Sequence, residues 1–143
     1  MSSELPVALI VEDDKSAREA LAELVRDEAY AVVTAESLAE AKQLLADSAP
    51  QLVLTDLVLP DGTGADLLAE IGSDADVQSV VITGHASVDS AVETLRLGAI
   101  DYLTKPVDVG RLRAILASVK RSAAMHAEIR RLRTDLRKLG RFG

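Results

Sequence analysis

The sequence predicts an α/β fold in which a parallel sheet is covered by helices on both faces. Three observations carry this. Hydrophobic runs of strand length alternate with amphipathic stretches from about residue 7 to residue 120. Five strand-then-helix units follow one another, and a series of such units builds a parallel sheet with helices packed on either side. Four of the runs end in a polar group: Ala8-Leu9-Ile10-Val11 before Glu12-Asp13-Asp14, Leu52-Val53-Leu54-Thr55 before Asp56, Val80-Val81-Ile82 before Thr83, and Ile100-Asp101-Tyr102-Leu103-Thr104 before Lys105-Pro106. In parallel strands these four ends share one sheet edge. Right-handed crossovers leave few topologies, and ligands bind outside the carboxyl ends of such strands, where the strand order reverses.

Each element has a local reason. Asp14 is a natural N-cap for a helix over about residues 15–29, whose apolar positions Ala17, Leu21, Leu24 and Val25 recur at helical spacing. Residues 31–35 are short and β-rich. Ser37 with Glu40 reads as a capping box for a helix to about Asp47, with Leu38, Ala41, Leu44 and Leu45 on one face. Pro50 breaks the chain before the strand at residues 52–55, and Pro60-Asp61-Gly62 signals a turn closing the loop that starts at Asp56. A helix over about residues 65–71, a strand at 80–82, a helix over about 88–97 ended by Gly98, a strand near 100–103 and a helix from near Val109 complete the series.

Composition narrows the class. The 143 residues are 48 % hydrophobic but only 2 % aromatic, so the core is built from Val, Leu, Ile and Ala. With no cysteine there are no disulfides or thiolate metal sites, which fits a reducing cytoplasm. Met1-Ser2-Ser3-Glu4 has no basic segment followed by a long apolar one, and no apolar run is long enough to span a bilayer; the expected location is cytoplasmic. Residues 1–119 carry 8 Lys+Arg against 21 Asp+Glu, a balance of −13, whereas residues 120–143 carry 8 against 2, a balance of +6. An acidic body and a basic tail point to different tasks.

The strand-end residues form a chemical set. Glu12, Asp13 and Asp56 repel one another unless a counter-charge joins them. With only two histidines and no cysteine, the donors are oxygens, which favours a hard cation; Mg²⁺ suits a few carboxylates, waters and a phosphate oxygen. A carboxylate can also attack phosphorus to give an aspartyl phosphate. The added negative charge is then met by the cation, by the Lys105 ammonium, and by Thr83 and nearby N–H donors.

These residues resemble the receiver domain of bacterial two-component response regulators. The matching pieces are Val11-Glu12-Asp13-Asp14, Thr55-Asp56-Leu57-Val58-Leu59-Pro60-Asp61-Gly62, Thr83-Gly84-His85 and Asp101-Tyr102-Leu103-Thr104-Lys105-Pro106, covering about residues 6–120. Each piece alone is weak; all four in this order are highly specific. The resemblance implies a flavodoxin-like, doubly wound five-stranded parallel sheet of order 2-1-3-4-5 with an extended C-terminal helix. It implies that Asp56 accepts a phosphoryl group from the phosphohistidine of a sensor histidine kinase. Mg²⁺ would be held by Glu12 (directly or through water), Asp13, Asp56 and the Val58 backbone carbonyl. Thr83 and Lys105 would contact the phosphoryl group, Tyr102 would follow Thr83 as the switch aromatic, and the Lys105–Pro106 peptide would be cis. Glu12 stands where many family members have Asp, a common variant. Val58 and His85 occupy positions that tune loss of the phosphoryl group, and an apolar Val58 cannot orient an attacking water. Such a domain is a phosphoacceptor that assists its own phosphotransfer and dephosphorylation rather than an enzyme on a separate substrate.

The tail adds a partner. From Val109 to Leu139 there is no proline, and Met125, Ile129, Leu132, Leu136 and Leu139 are spaced as the seam of a coiled coil, flanked by Arg130, Arg131, Arg133, Arg137 and Lys138. The expected occupant of the seam is the same helix of a second chain, making a homodimer, with the fourth-helix and fifth-strand face as a further contact. Direct nucleic-acid binding by this segment ranks below that reading, because no aromatic residue interleaves the basic ones. The expected division is a receiver over 6–120 and a helical linker over 121–143, with the end at Leu139-Gly140-Arg141-Phe142-Gly143 reading as a cut at a domain boundary. The Thr-Gly-His turn, the segment ending in Lys105-Pro106 and the basic linker resemble NtrC-like regulators, in which an ATPase activating sigma-54 transcription and a DNA-binding domain follow; no GxxxxGK[ST] phosphate loop occurs here. Two other readings stand beside the switch: a small Mg²⁺-dependent phosphatase, and a constitutive dimerisation module with a vestigial acidic site.

Overall fold

The computed structural model describes residues 5–140 apart from residue 75; the leader reading of residues 1–4 and the last three residues of the boundary reading lie outside that range. The elements are β1 (Val7–Val11), α1 (Lys15–Asp27), β2 (Ala31–Ala35), α2 (Leu38–Ser48), β3 (Leu52–Thr55), β4 (Val58–Leu59), β5 (Gly62–Thr63), α3 (Gly64–Ile71), β6 (Gln78–Thr83), α4 (Val88–Arg96), β7 (Asp101–Thr104) and α5 (Val109–Gly140). The main sheet is parallel in the order β2-β1-β3-β6-β7. Numbered by its main strands, that is the expected 2-1-3-4-5. The antiparallel ribbon β4–β5, two residues per strand, is the addition that Pro60-Asp61-Gly62 foretold only as a turn.

Strand alternation sorts the core into layers. Ala8, Ile10, Leu52, Leu54, Val80, Ile82 and Leu103 face α1 and α5, meeting Ala22, Val25, Leu112, Leu116 and Val119. Leu9, Val11 and Val53 face the other way, toward Leu38 and Ala41 of α2 and Leu67 of α3, and Val81 meets Leu68. Because both faces are covered, the central strands read as unbroken apolar runs. On the first face Tyr30 is buried, and its hydroxyl donates to the Leu116 carbonyl of α5 at 2.6 Å.

Several boundaries differ from the sequence reading. α1 stops at Asp27, since Ala29 adopts a left-handed φ of 63°, which no helix continues through. β6 begins at Gln78 rather than at Val80, extending the pairing with β3. β7 begins at Asp101; Ile100 precedes it with its side chain exposed. The box expected at α2 is half formed: Ser37 Oγ accepts the Glu40 N–H, but the Glu40 carboxylate reaches past the cap to the Glu36 N–H at 2.7 Å. Full boxes occur instead at α3, with Thr63 and Asp66, and at α4, with Ser87 and Ser90. Among the described residues, no helix is long and apolar enough to cross a membrane.

Candidate functional site

The carboxyl ends of β1, β3, β6 and β7 are stitched together by the backbone. The Asp56 N–H donates to the Val11 carbonyl at 3.0 Å, and the Lys105 N–H donates to the Thr83 carbonyl at 3.0 Å. One ladder therefore brings Glu12, Asp56, Thr83 and Lys105 to the same edge. Glu12 is 2 % exposed and Asp56 7 %, whereas Asp13 faces solvent. One oxygen from each of Glu12, Asp13 and Asp56 lies within 4.8 Å of the other two.

Burying carboxylates is costly unless each is paired. Lys105 does most of the pairing: its Nζ donates to Glu12 Oε1 and, at 2.8 Å, to Asp56 Oδ2. The second Glu12 oxygen accepts the Asp14 N–H at 3.1 Å, and Asp56 Oδ1 accepts the Val58 N–H at 3.3 Å. Burial pushes the Asp56 carboxyl up, but the Lys105 ammonium and the Val58 N–H outweigh it and hold the group below the ordinary carboxylate range. Burial likewise pushes Lys105 down, and its bonds to Asp56 and Glu12 more than restore it, so the ammonium sits above its ordinary range. Both groups are charged at neutral pH. The Asp13 carboxylate accepts no hydrogen bond from the described residues and faces solvent beside two buried carboxylates.

The surrounding residues fall where the motifs placed them. Thr83 is fully buried, and its Oγ1 accepts the His85 N–H at 3.0 Å. Lys105–Pro106 is the cis peptide. The half-buried Tyr102 reaches the start of α4, where its hydroxyl shares a 2.6 Å bond with Ser90 Oγ and accepts the Ser87 N–H at 3.3 Å. The loop after Asp56 folds back so tightly that a Cβ on Gly64 would collide with the Asp56 carbonyl oxygen. A cavity of about 480 Å³, lined by Pro50, Ile71, Val77, His126 and Arg130 among others, lies at the opposite end of the strands. It is far from this chemistry.

Three carboxylates and a lysine thus gather at the switch point of a doubly wound sheet, the place where folds of this class bind their ligands. The chain matches the response regulator receiver domain over residues 8–117 and belongs to that family. It is 41 % identical to the response regulator protein PilR of Pseudomonas aeruginosa over 122 residues, which is 85 % of this chain and 27 % of PilR. It is 33 % identical to the alginate biosynthesis transcriptional regulatory protein AlgB of Pseudomonas putida over 91 % of this chain and 29 % of AlgB. The chain thus spans less than a third of these curated relatives. Among solved structures, the beryllofluoride-activated NtrC4 receiver domain dimer superposes with a TM-score of 0.72 at 32 % identity, over 83 % of this chain and 97 % of that one. A CheY-like receiver domain protein from Methanospirillum hungatei gives a TM-score of 0.78 at 27 % identity, over 85 % and 99 %. These likenesses agree with the NtrC-like character of the motifs.

Proposed function

We propose that this chain is a phosphorylation-controlled switch of a two-component system, with Asp56 as the phosphoacceptor. The observation that carries the reading is the convergence of Glu12, Asp13 and Asp56 within 4.8 Å at strand ends bridged by Lys105. The donor set fits Mg²⁺: three carboxylates, with the Val58 carbonyl in the adjoining loop. When bound, Mg²⁺ would neutralise charge gathered between these oxygens and the phosphoryl group.

An ionised Asp56 oxygen attacks the phosphorus of a kinase phosphohistidine, forming an O–P bond as the N–P bond breaks and the imidazole leaves with the electron pair. Lys105 then shifts its ammonium from the Asp56 carboxylate toward the new phosphoryl oxygens. Thr83 exchanges the His85 N–H for the phosphoryl group, donating its hydroxyl proton. Tyr102 follows, leaving Ser90 and Ser87 and so altering the face formed by α4 and β7. The phosphoryl group biases a two-state equilibrium through contacts made in only one state.

The partners follow from the same reading: a cytoplasmic sensor kinase, and a second copy of this chain. We place the receiver at 6–120 and a linker helix at 121–143, leading to a transcription-activating, sigma-54-type output. In the seam, Ile129 and Leu136 take a positions, and Met125, Leu132 and Leu139 take d positions; Ile129 at a with Leu132 at d is the combination that suits two parallel strands. Both acids of the basic tail, Glu128 and Asp135, fall at g, and Arg133 falls at e. Parallel pairing sets Glu128 against Arg133 of the second copy; antiparallel pairing would set like charges together.

Intact mass after incubation with acetyl phosphate, with and without Mg²⁺ and beside Asp56→Asn, tests the switch. The expected result is a gain of one phosphoryl group requiring both Mg²⁺ and Asp56. No gain in the wild type would leave a constitutive dimerisation module as the better description.

A further inference from the structure

Asp61 takes no part in the chemistry described above, yet it makes two well-formed bonds over a long sequence distance. It lies between the two strands of the β4–β5 ribbon, the segment that leads away from Asp56. Its Oδ1 accepts the Leu38 N–H at 2.7 Å and its Oδ2 accepts the Ala39 N–H at 3.0 Å. These are the first two N–H groups of α2, which have no partner within the helix. Ser37 caps only the third, the Glu40 N–H at 3.2 Å. The first turn of α2 is therefore completed by a carboxylate from a different segment, in bonds strengthened by its charge and by the helix dipole. The Ala39 and Leu38 N–H groups hold the Asp61 carboxyl below its ordinary range.

The ribbon needs such an anchor. With two residues per strand it has too few ladder bonds to be rigid alone. Its base is fixed at the site: the Val58 N–H bonds Asp56, and the Gly64 N–H donates to the Leu57 carbonyl at 2.8 Å. Its tip is fixed on α2, where Gly62 packs so closely that a Cβ there would stand 2.5 Å from Leu38 Cδ2. α2 is in turn seated on the sheet through buried Leu38 and Ala41.

We propose that Asp61 is a positioning residue for the acidic site: by tying the ribbon tip to α2, it sets where Val58 stands relative to Asp56 and Asp13. The claim rests on the reading of Val58 and the three carboxylates as the Mg²⁺ site. Asp61 touches neither metal nor phosphoryl group; it acts through Val58, as outer residues do when they orient a ligand.

The test titrates Mg²⁺ into the wild type, Asp61→Ala, Asp61→Asn and Ser37→Ala, following the amide chemical shifts of Asp13, Asp56 and Val58. The acetyl phosphate reaction is then run across the same Mg²⁺ range. Asp61→Ala is expected to raise the half-saturating Mg²⁺ on the order of ten-fold, the low end of outer-residue effects on metal sites. The rate at saturating Mg²⁺ changes much less. Asp61→Asn keeps one acceptor oxygen and falls between. Ser37→Ala uncaps the same helix turn and lowers Tm, but leaves half-saturation where it was. Equal shifts in Ser37→Ala and Asp61→Ala overturn the proposal, because helix stability alone would then explain them. An unshifted Asp61→Ala overturns it, as does a wild type that takes up no Mg²⁺. A wild type that binds Mg²⁺ with the expected Asp61 effect but gains no phosphoryl group upholds the positioning role and sinks only the phosphoacceptor reading.

Discussion

The first third of α5 and the stretch from Met125 onward belong to one helix and carry the same apolar spacing, yet they meet the molecule differently. Leu112, Leu116 and Val119 are buried against the sheet. Met125, Ile129, Leu132, Leu136 and Leu139 stand 39 % to 66 % exposed. Beyond Val119 the contacts with the body turn polar: Gln78 Nε2 donates to Ser122 Oγ at 3.0 Å, and Arg130, within the exposed stretch, pairs with Asp76 at 2.8 Å. Spacing says that a helix has an apolar stripe; it does not say whether the stripe serves its own sheet or a second molecule. Charge separates the two cases here, because the acidic residues crowd the body and nearly vanish from the tail.

The sharpest break of that comparison is a pair of matched truncations. Leu116→Ala opens a cavity in a packed layer and is expected to cost about 3 kcal/mol in urea unfolding. Leu136→Ala, the same chemistry twenty positions along, is expected to move monomer unfolding by less than about 0.5 kcal/mol. Its effect shows instead in sedimentation equilibrium, as weaker self-association. Equal unfolding costs at the two sites would mean that the tail packs on its own body.

The acidic edge provides the next contrast, since there the buried charges are answered within the chain. Lys105→Met strips Glu12 and Asp56 of their shared cation, and at neutral pH without Mg²⁺ is expected to cost about 2 kcal/mol, below the range for breaking a fully buried pair because Lys105 is partly exposed. The sign with pH follows from both groups. Asp56, held low, contributes stability above its ordinary value of 3.8 and loses it as pH falls through the folded value. Lys105, held high, contributes fully below its ordinary 10.5 and loses that contribution as pH rises through the folded value. The gap between wild type and variant should therefore be widest between these limits and close as acid protonates Asp56. Urea unfolding at several pH values measures it, and a gap that grows in acid would contradict the ion-pair account. A smaller effect belongs to Tyr30→Phe, which removes the bond to Leu116 that ties α5 to the loop before β2; about 1 kcal/mol is expected by thermal unfolding.

What the sequence made legible was whatever is written locally. Glu12, Asp13, Asp56, Thr83 and Lys105 each end a hydrophobic run, so reading the runs as parallel strands was enough to gather them. Helix caps that act within four residues, such as Asp14 on the Ala17 N–H, were legible for the same reason. Asp61 was not: Pro-Asp-Gly announces a turn, and nothing in that triplet says that its carboxylate will cap a helix 22 residues earlier. Nor does Glu40 reveal that it will bond Glu36 rather than complete a box, because both choices satisfy the same spacing rule. Tyr30 sits in what reads as a loop, and only the packing of α5 makes it a buried anchor.

The continuity of α5 has a geometric consequence. Over 32 residues it runs for about 48 Å without a hinge, so its backbone behaves as a screw thread. The sheet-facing stripe and the exposed stripe repeat the same spacing thirteen residues apart, which at about 100° per residue sets them roughly 140° apart around the axis. Adding or removing one residue between Val119 and Met125 would leave the domain intact and swing the exposed stripe to another side. Adding seven would return it almost to its starting azimuth. The length of this junction is therefore quantised, and the direction in which the domain presents itself to a second copy is set by counting residues.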